Sequence, residues 1–218
     1  MPEELPRDVE IALSRSIRIA DPDGQPFLFS EKTSPVKIEL DDLLSNPNLL
    51  EALSINLGSR ILELNQEFSV IAGLDTSMIQ SWIIYNLLKS KFSHEFRIAQ
   101  ISLKPERGLH QYEIRGLHPD RFSGNAIVIE GAIHFGNRTK RAVQTLRGFG
   151  KNGESEVALV ACFIDYANTL GQETARTNGF EILSITTLPK LIKIGVQTQD
   201  IKPEDAERIL KFLENPSY

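Results

Sequence analysis

Short apolar runs alternate with amphipathic segments through the middle of the chain. The runs are rich in β-branched residues, which is typical of buried strands. Strands are predicted at 68–74, 96–103, 125–130, 157–164 and 180–185, with a further short strand at 112–115. Helical spacing of apolar positions predicts helices at 77–89, from 137 to 148 or 150, and at 168–177. Repeated strand and helix units of this length predict an α/β fold, with a mainly parallel sheet flanked by helices.

The two ends of the chain depart from this pattern. Helices are predicted around 9–19 and, near the carboxyl end, at 188–194 and 203–213. Loose alternation of apolar residues over 25–40 predicts two short strands that separate at Pro35, because a proline interrupts strand pairing. These segments predict small additions to one central sheet.

A longer amphipathic helix is predicted ahead of the first central strand. Asn46 can cap its start, and Pro47 fits the first turn, where a missing N–H costs nothing. Trp82 lies on the helix at 77–89, where core packing is the expected role of a large apolar side chain. The apolar stripe of the longer helix comprises Leu50, Leu53, Leu57, Ile61 and Leu64.

Composition limits the classes of function. The 218 residues carry a formal net charge of −5 and a pI of about 5.5, so nonspecific binding to nucleic acid or an anionic membrane is not expected. The one cysteine, Cys162, excludes an internal disulfide and a thiolate-rich zinc cluster, and its apolar run predicts a buried thiol. Without an apolar secretory signal or an apolar run approaching about 18 residues, we expect a cytoplasmic protein.

The stretch 122–150 has the order of a phosphate site. A strand ends at Glu130, a glycine-punctuated turn occupies 131–136, and Asn137 can cap the next helix. The spacing matches neither the nucleotide triphosphate loop nor the dinucleotide-binding fingerprint. A tight turn followed by a solvated basic helix face is an equal alternative, and His134 fits a packing role as well as a functional one.

Five segments resemble one known family in the same order along the chain. They are 27–35, 41–50, 71–73, the apolar strand 126–129 with Glu130 and Gly136, and Ile164 with Asp165. Together they cover about residues 20–190 and resemble the type I phosphoribosyltransferases, specifically the orotate phosphoribosyltransferases. The resemblance implies a single domain over 1–218, with a small hood from about 20–45 plus part of the carboxyl-terminal region. It also implies a homodimer, a phosphorylated ligand such as phosphoribosyl pyrophosphate (PRPP), and Mg²⁺ if the protein is active.

The resemblance also implies roles for individual residues. Glu130 would bind ribose hydroxyls, and the phosphate loop would use His134, Gly136, Asn137 and Arg138. The pyrophosphate loop would use Gly73, Asp75, Thr76 and Ser77. The catalytic candidates are Lys104, Arg107 and His110, in the segment 104–111, whose register the sequence leaves open.

Several positions depart from the family pattern. Gly131 replaces the second acid, His134 and Phe135 replace two threonines, and Tyr166 replaces an arginine. Glu106 and Gly108 stand where the family has a lysine and a histidine. These losses predict a noncatalytic or regulatory protein that retains some affinity for phosphate or nucleotide. An active phosphoribosyltransferase acting on a pyrimidine or related base is the alternative, and an altered reaction stays open. No metal ligands are predicted.

Overall fold

A computed structural model describes residues 4–29, 32–41, 45–64, 66–90, 96–106, 109–119, 122, 124–149 and 155–216; for 76, 104–106 and 109–111 it describes the backbone. The helices are α1 Arg7–Arg15, α2 Pro47–Glu63, α3 Met78–Lys89, α4 Asn137–Phe149, α5 Thr169–Thr177, α6 Leu188–Gln197 and α7 Pro203–Glu214. The strands are β1 Ile17–Ile19, β2 Phe27–Phe29, β3 Lys32–Ser34, β4 Val36–Ile38, β5 Val70–Leu74, β6 Arg97–Glu106, β7 Leu109–Arg115, β8 Gly124–Ile133, β9 Ser155–Asp165 and β10 Glu181–Thr187.

A twisted sheet forms the centre of the fold. Among the described residues six strands pair in the order β10-β9-β8-β5-β6-β7, and all pairs are parallel except β6 with β7. Gly73 lies beside Ile129, and Ile129 beside Ala161, so β5, β8 and β9 end at the same edge. The predicted α/β fold with a mainly parallel sheet is confirmed.

Side chains of β8 and β9 alternate between the two faces of the sheet. Ile127 and Phe163 belong to one buried apolar cluster, whereas Val128 and Val160 belong to a second. Each cluster is covered by helices, which explains why the central residues of these strands are mostly apolar. Cys162 is fully buried, as predicted, and burial raises the pKa of its thiol.

The amino-terminal segment differs from its prediction in two ways. The helix expected at 9–19 ends at Arg15, because Ser16 turns both its N–H and its hydroxyl back to the Leu13 carbonyl. The following residues form β1, which pairs antiparallel with β4. The segment 25–40 holds three short strands instead of two, since β2 and β3 form an antiparallel hairpin of their own before Pro35.

Helix α2 starts as predicted. The Asn46 side chain accepts hydrogen bonds from the N–H groups of Asn48 and Leu49, and four residues of the predicted stripe are buried. Leu64 lies beyond the last residue of α2 and is 36% exposed, so its assignment to the buried stripe is wrong. Trp82 was also expected in the core, but it is 56% exposed on the outer face of α3. Among the described residues, no helix is long and apolar enough to cross a membrane.

The segment 104–111, predicted as a loop, is largely a hairpin. Strands β6 and β7 pair across it, with Lys104 opposite Gln111, Pro105 opposite His110 and Glu106 opposite Leu109. The predicted strand at 112–115 is therefore the end of a longer strand. The backbone ladder sets how β6 and β7 pair. It does not test how this segment aligns with the family that the sequence resembles.

Candidate functional site

A cavity of about 330 Å³ opens where β8 and β9 end. It lies between the amino-terminal strands and the connection from β8 to α4, the place where open α/β sheets bind ligands. Phe29, Ile38 and Leu40 line it from the amino-terminal side. The sequence analysis did not assign these three residues to the site. It did expect the segment that contains them, about 20–45, to form a hood.

The connection from β8 to α4 is shorter than predicted. Strand β8 continues through Gly131 to Ile133, because Ala132 and Ile133 pair with the end of β9. The predicted turn over 131–136 is therefore wrong in its first half. Helix α4 already includes Asn137, so Asn137 is not the capping residue. Gly136 supplies the turn, with a φ of +73° that favours glycine, and its carbonyl accepts the first helical hydrogen bond from Lys140.

Asn168, which caps the start of α5, and Gly171 in its first turn hold this connection from behind. The Asn168 side chain donates a hydrogen bond to the His134 carbonyl at 2.8 Å. Gly171 lies so close that a β-carbon there would stand 2.6 Å from the same carbonyl oxygen. The backbone at His134 is therefore fixed by polar contact and by close packing.

Glu130 has both carboxylate oxygens engaged. Arg138 donates to Oε1 from Nε at 3.0 Å and from Nη2 at 2.7 Å, and the Thr139 hydroxyl donates to Oε2 at 2.6 Å. Glu130 is only 3% exposed, so these contacts replace water around a buried charge. Thr139 was missed by the sequence analysis. The signal available was its place in the first turn of a helix, where side chains lean back toward the preceding strand end.

Arg138 also reaches the end of β5. Its Nη1 lies 3.4 Å from Oδ2 of Asp75, so one guanidinium joins two strand ends. Burial would lower the pKa of Arg138, but the carboxylates of Glu130 and Asp75 raise it above its ordinary value. Burial raises the pKa of Tyr112 nearby, and the charge of Asp75 raises it further.

Asp75 is held in an unusual conformation. Its φ is +50°, which is uncommon for a residue with a side chain, and its Oδ1 accepts a hydrogen bond from the Leu103 N–H at 3.2 Å. The carboxylate contact helps to hold the turn between β5 and α3 in this strained conformation. This turn is the predicted pyrophosphate loop. The Asp75 carboxylate in this turn binds Arg138 and the N–H of Leu103 in β6.

His134 lies inside a cluster of aromatic rings. Its ring centroid is 4.3 Å from that of Phe29, 3.8 Å from that of Phe135 and 4.1 Å from that of Tyr166. Both ring nitrogens are buried, and neither has a hydrogen-bond partner among the residues that the structure describes. Burial lowers the pKa of His134 to about 3, so the imidazole is neutral at physiological pH.

Proteins of known function resemble this chain in sequence and in structure. Orotate phosphoribosyltransferase from Halalkalibacterium halodurans is 22% identical over 197 residues, covering 89% of this chain and 88% of that protein. UMP synthase from Leishmania donovani superposes with a TM-score of 0.69 and 20% identity, over 95% of this chain and 42% of that one. Orotate phosphoribosyltransferase from Aeropyrum pernix superposes with a TM-score of 0.60 and 18% sequence identity, over 86% of this chain and 96% of that one. No protein-family profile matches the sequence.

This chain has the fold of the orotate phosphoribosyltransferases. The chain spans less than half of the Leishmania protein but most of the other two. The resemblance noted in the sequence is thereby confirmed for the fold. The strand and loop with Glu130 and Gly136 lie at the sheet edge where the resemblance placed them.

The structure brings five of the twelve residues predicted for the site together in one cavity. Glu130, His134, Gly136, Asn137 and Arg138 all line the cavity. The remaining candidates belong to the end of β5, the turn after it, and the β6–β7 hairpin. Gly73, Asp75, Thr76 and Ser77 form the end of β5 and its turn; the backbones of Lys104 and His110 lie in the hairpin; and Arg107 lies outside the described residues.

Gly73 and Ser77 have packing roles that sequence reasoning did not assign. A β-carbon at Gly73 would stand 2.8 Å from the Ser77 carbonyl oxygen and 2.9 Å from the Met78 α-carbon. Ser77 is buried, and its carbonyl accepts a hydrogen bond from the Ser81 hydroxyl. The absence of a side chain at Gly73 therefore lets α3 start directly against the end of β5.

The carboxylates of the site do not fit a Mg²⁺ ion as they stand. Glu130 lines the cavity, and the guanidinium of Arg138 contacts both Glu130 and Asp75. Magnesium needs oxygen ligands around a common point, and that point would coincide with a cation already present. Within the described ranges, no group of three or more histidine, cysteine or acidic side chains could hold a metal ion.

Proposed function

We propose that this chain is a noncatalytic, orotate phosphoribosyltransferase-like protein that binds or senses a small ligand. The observation that carries the proposal is the saturation of Glu130 by Arg138 and Thr139. By resemblance, this carboxylate should be available to ribose hydroxyls and should have an acidic neighbour, but the neighbour is Gly131. A ribose could bind Glu130 only by displacing a charge-assisted pair, which costs more than displacing water.

Two further observations support the absence of turnover. Asp75 places a negative charge where the resemblance puts pyrophosphate, and like charges repel. In the phosphate loop, Phe135 is 6% exposed and packs against Phe29 and Phe212, so its ring cannot donate a hydrogen bond to phosphate. Retained affinity for phosphate or nucleotide would depend on the N–H groups at the start of α4.

The proposal includes the hood. We propose that about residues 20–45, with part of the carboxyl-terminal region, form the small lobe implied by the resemblance. Phe29, Ile38 and Leu40 support this because they close one side of the cavity. Phe212 of α7 supports the carboxyl-terminal part, since its ring lies 6.3 Å from that of Phe135.

We expect no pyrophosphate release from PRPP and Mg²⁺ in the presence of orotate or uracil. The physical reason is that neither acidic group is free to stabilise the reacting ribose or a metal ion. Coupled detection of pyrophosphate would measure the reaction, with the Halalkalibacterium halodurans orotate phosphoribosyltransferase as the positive control. Release by this chain that disappears in Glu130→Gln would overturn the proposal.

An active phosphoribosyltransferase is the second candidate, because Glu130 and the helix start are retained beside a cavity. In it, Glu130 would bind ribose, Asn137 and Arg138 would bind the 5′-phosphate, and Lys104 or Arg107 would bind pyrophosphate. Isothermal titration with PRPP and Mg²⁺, repeated with Arg138→Ala, separates the two candidates. Binding abolished by the substitution, together with pyrophosphate release, would favour the transferase.

We further propose that the chain is a homodimer, as the resemblance implies, and that the face with Ile79, Trp82 and Leu103 contributes to the interface. These side chains are 61%, 56% and 41% exposed. The Asp75 contact to Leu103 joins this face to the start of α3. An apolar face of this kind commonly marks an association surface.

Trp82→Glu is expected to shift the protein from dimer to monomer, because it would bury a charge in an apolar interface. Size-exclusion chromatography with light scattering would measure the mass. Ile55→Glu is the matched control, since Ile55 is also exposed, at 44%, but lies on α2. A monomeric wild-type protein, or an equal effect of both variants, would contradict the assignment of this face.

A further inference from the structure

Two carboxylates from different elements share one guanidinium. Glu130 lies on β8, and Asp75 directly follows β5, which is the neighbouring strand in the sheet. The Nη2 atom of Arg138 lies 2.7 Å from Oε1 of Glu130, and its Nη1 atom lies 3.4 Å from Oδ2 of Asp75. Two carboxylates so near to one group would repel each other without a positive charge beside them. The guanidinium supplies that charge.

Each carboxylate is also held by a donor that does not belong to Arg138. The Thr139 hydroxyl donates a hydrogen bond to Oε2 of Glu130 at 2.6 Å. The Leu103 N–H donates to Oδ1 of Asp75 at 3.2 Å. In both carboxylates, one oxygen is therefore held by another part of the protein and the other oxygen contacts Arg138. The orientation of the two carboxylates does not depend on the guanidinium alone.

Two other carboxylates beside the cavity are engaged elsewhere. Glu39, whose neighbours in the chain line the cavity, lies 2.9 Å from the Nζ atom of Lys37. Asp165, at the end of β9, accepts hydrogen bonds from the Ala167 N–H and from the Gln172 amide. Among the described residues, the carboxylates that pair with the guanidinium are those of β8 and of the turn after β5.

A divalent metal ion would need the same two oxygens that contact Arg138. Hard cations bind carboxylate oxygens, but Mg²⁺ gives up its water reluctantly. Arg138 lies in the first turn of α4, so its guanidinium is tethered beside Glu130 and competes at a high effective concentration. It donates to Oε1 of Glu130 from both Nε and Nη2, and such charge-assisted contacts are strong. A metal ion from solution would have to displace this contact before it could bind.

We infer that the Arg138 guanidinium is a built-in cation that takes the place of a divalent metal ion, and that its removal would make Glu130 and Asp75 a metal site. The inference goes beyond the proposed function, because it holds for any ligand of the cavity. The resemblance implies Mg²⁺ for an active protein, whereas this chain carries the positive charge on its own side chain. A metal ion is expected to bind here only when the guanidinium has been removed.

Mn²⁺ is a suitable probe, because it prefers the same oxygen ligands as Mg²⁺ and its unbound fraction is measured by electron paramagnetic resonance. Arg138→Ala is expected to bind one Mn²⁺ with a Kd of about 0.1–1 mM, the range of weak carboxylate sites for divalent cations. The wild type is expected to bind Mn²⁺ at least about tenfold more weakly. Mn²⁺ should also raise the Tm of Arg138→Ala and leave that of the wild type unchanged.

Four further variants test the source of the binding. Arg138→Lys keeps a positive charge and is expected to behave like the wild type. Arg141→Ala removes an exposed arginine of the same helix and should also behave like the wild type. Arg138→Ala combined with Glu130→Gln should lose the Mn²⁺ binding, because a neutral amide replaces one of the two carboxylates. Arg138→Gln is a second neutral variant, and circular dichroism would verify that each protein is folded.

Three results would overturn the inference. The first is Mn²⁺ binding by the wild type with a Kd below about 1 mM that Glu130→Gln abolishes. The second is an absence of Mn²⁺ binding by folded Arg138→Ala or Arg138→Gln, and the third is equal binding by Arg141→Ala and Arg138→Ala. None of these results depends on turnover. Pyrophosphate release from PRPP would instead overturn the proposed function, so the two failures are distinguishable.

Discussion

Lowering the pH from 7 to 4.5 is expected to remove about 2–3 kcal/mol from the free energy of unfolding through His134 alone. In the folded protein, burial lowers the pKa of His134 to about 3, whereas an unfolded histidine titrates near its ordinary value of about 6.5. Between these values the unfolded chain binds one more proton than the folded chain. Stability is therefore retained above about pH 6.5 and lost as the pH falls toward 3, with a slope of up to about 1.4 kcal/mol per pH unit.

His134→Phe is expected to abolish this part of the acid sensitivity. At pH 7 the variant should unfold with a free energy within about 1 kcal/mol of the wild type, because an unpaired buried polar ring is replaced by an apolar one. Urea unfolding of both proteins between pH 7 and 4.5 would measure the difference.

Two features of this comparison isolate His134. Asp165 contributes with the opposite sign, since burial raises the pKa of its carboxyl, but it does so in both proteins. His118→Phe is the matched control, because it makes the same substitution at an exposed histidine outside the cavity. Parallel pH profiles of the wild type and His134→Phe would show that His134 titrates normally and would refute the prediction.

Arg138→Met is expected to lower the free energy of unfolding by about 2 kcal/mol at pH 7. The substitution keeps an aliphatic side chain but leaves Glu130, which is 3% exposed, without its counter-charge. A fully buried pair would lose about 3–5 kcal/mol, and we reduce this value because the Arg138 side chain is 51% exposed and water can enter. Arg141→Met, an exposed change on the same helix, is expected to cost less than about 0.5 kcal/mol.

A double-mutant cycle with Glu130→Gln would assign the loss to the pair. If the buried carboxylate is the source of the cost, Arg138→Met should cost about 1–2 kcal/mol less when position 130 carries a neutral amide. Urea unfolding of the four proteins at one pH measures the coupling. Additive single effects would mean that Arg138 stabilises the fold by its packing and not by neutralising Glu130.

The sheet could be predicted from sequence because burial on both faces leaves a local record. The central residues of β8 and β9 are mostly apolar, and amphipathic segments follow these strands at regular distances. The ends of elements were less certain. The glycine at position 131 suggested that β8 had ended, yet the strand continues because β9 still offers partners to Ala132 and Ile133. Local sequence does not reveal such a partner.

Five of the predicted site residues line one cavity, but the bonds among them were not predicted. Arg138 was assigned to phosphate by resemblance, whereas its guanidinium lies against Glu130 and Asp75. Glu130 lies on β8 and Asp75 directly follows β5, so their distances from one guanidinium depend on the register of these two strands. The contact of Phe29 with His134 could not be predicted either, because Phe29 comes from a distant part of the chain.

The support of the His134 backbone by Asn168 and Gly171 has a consequence for the history and redesign of this site. Because α5 fixes the path of the connection from outside the cavity, residues 134 and 135 can change without rerouting the main chain. Substitutions at positions 134 and 135 would therefore change the lining of the cavity without changing the backbone path of the connection. A rigid frame of this kind would let one scaffold acquire a new ligand while its connections stay the same.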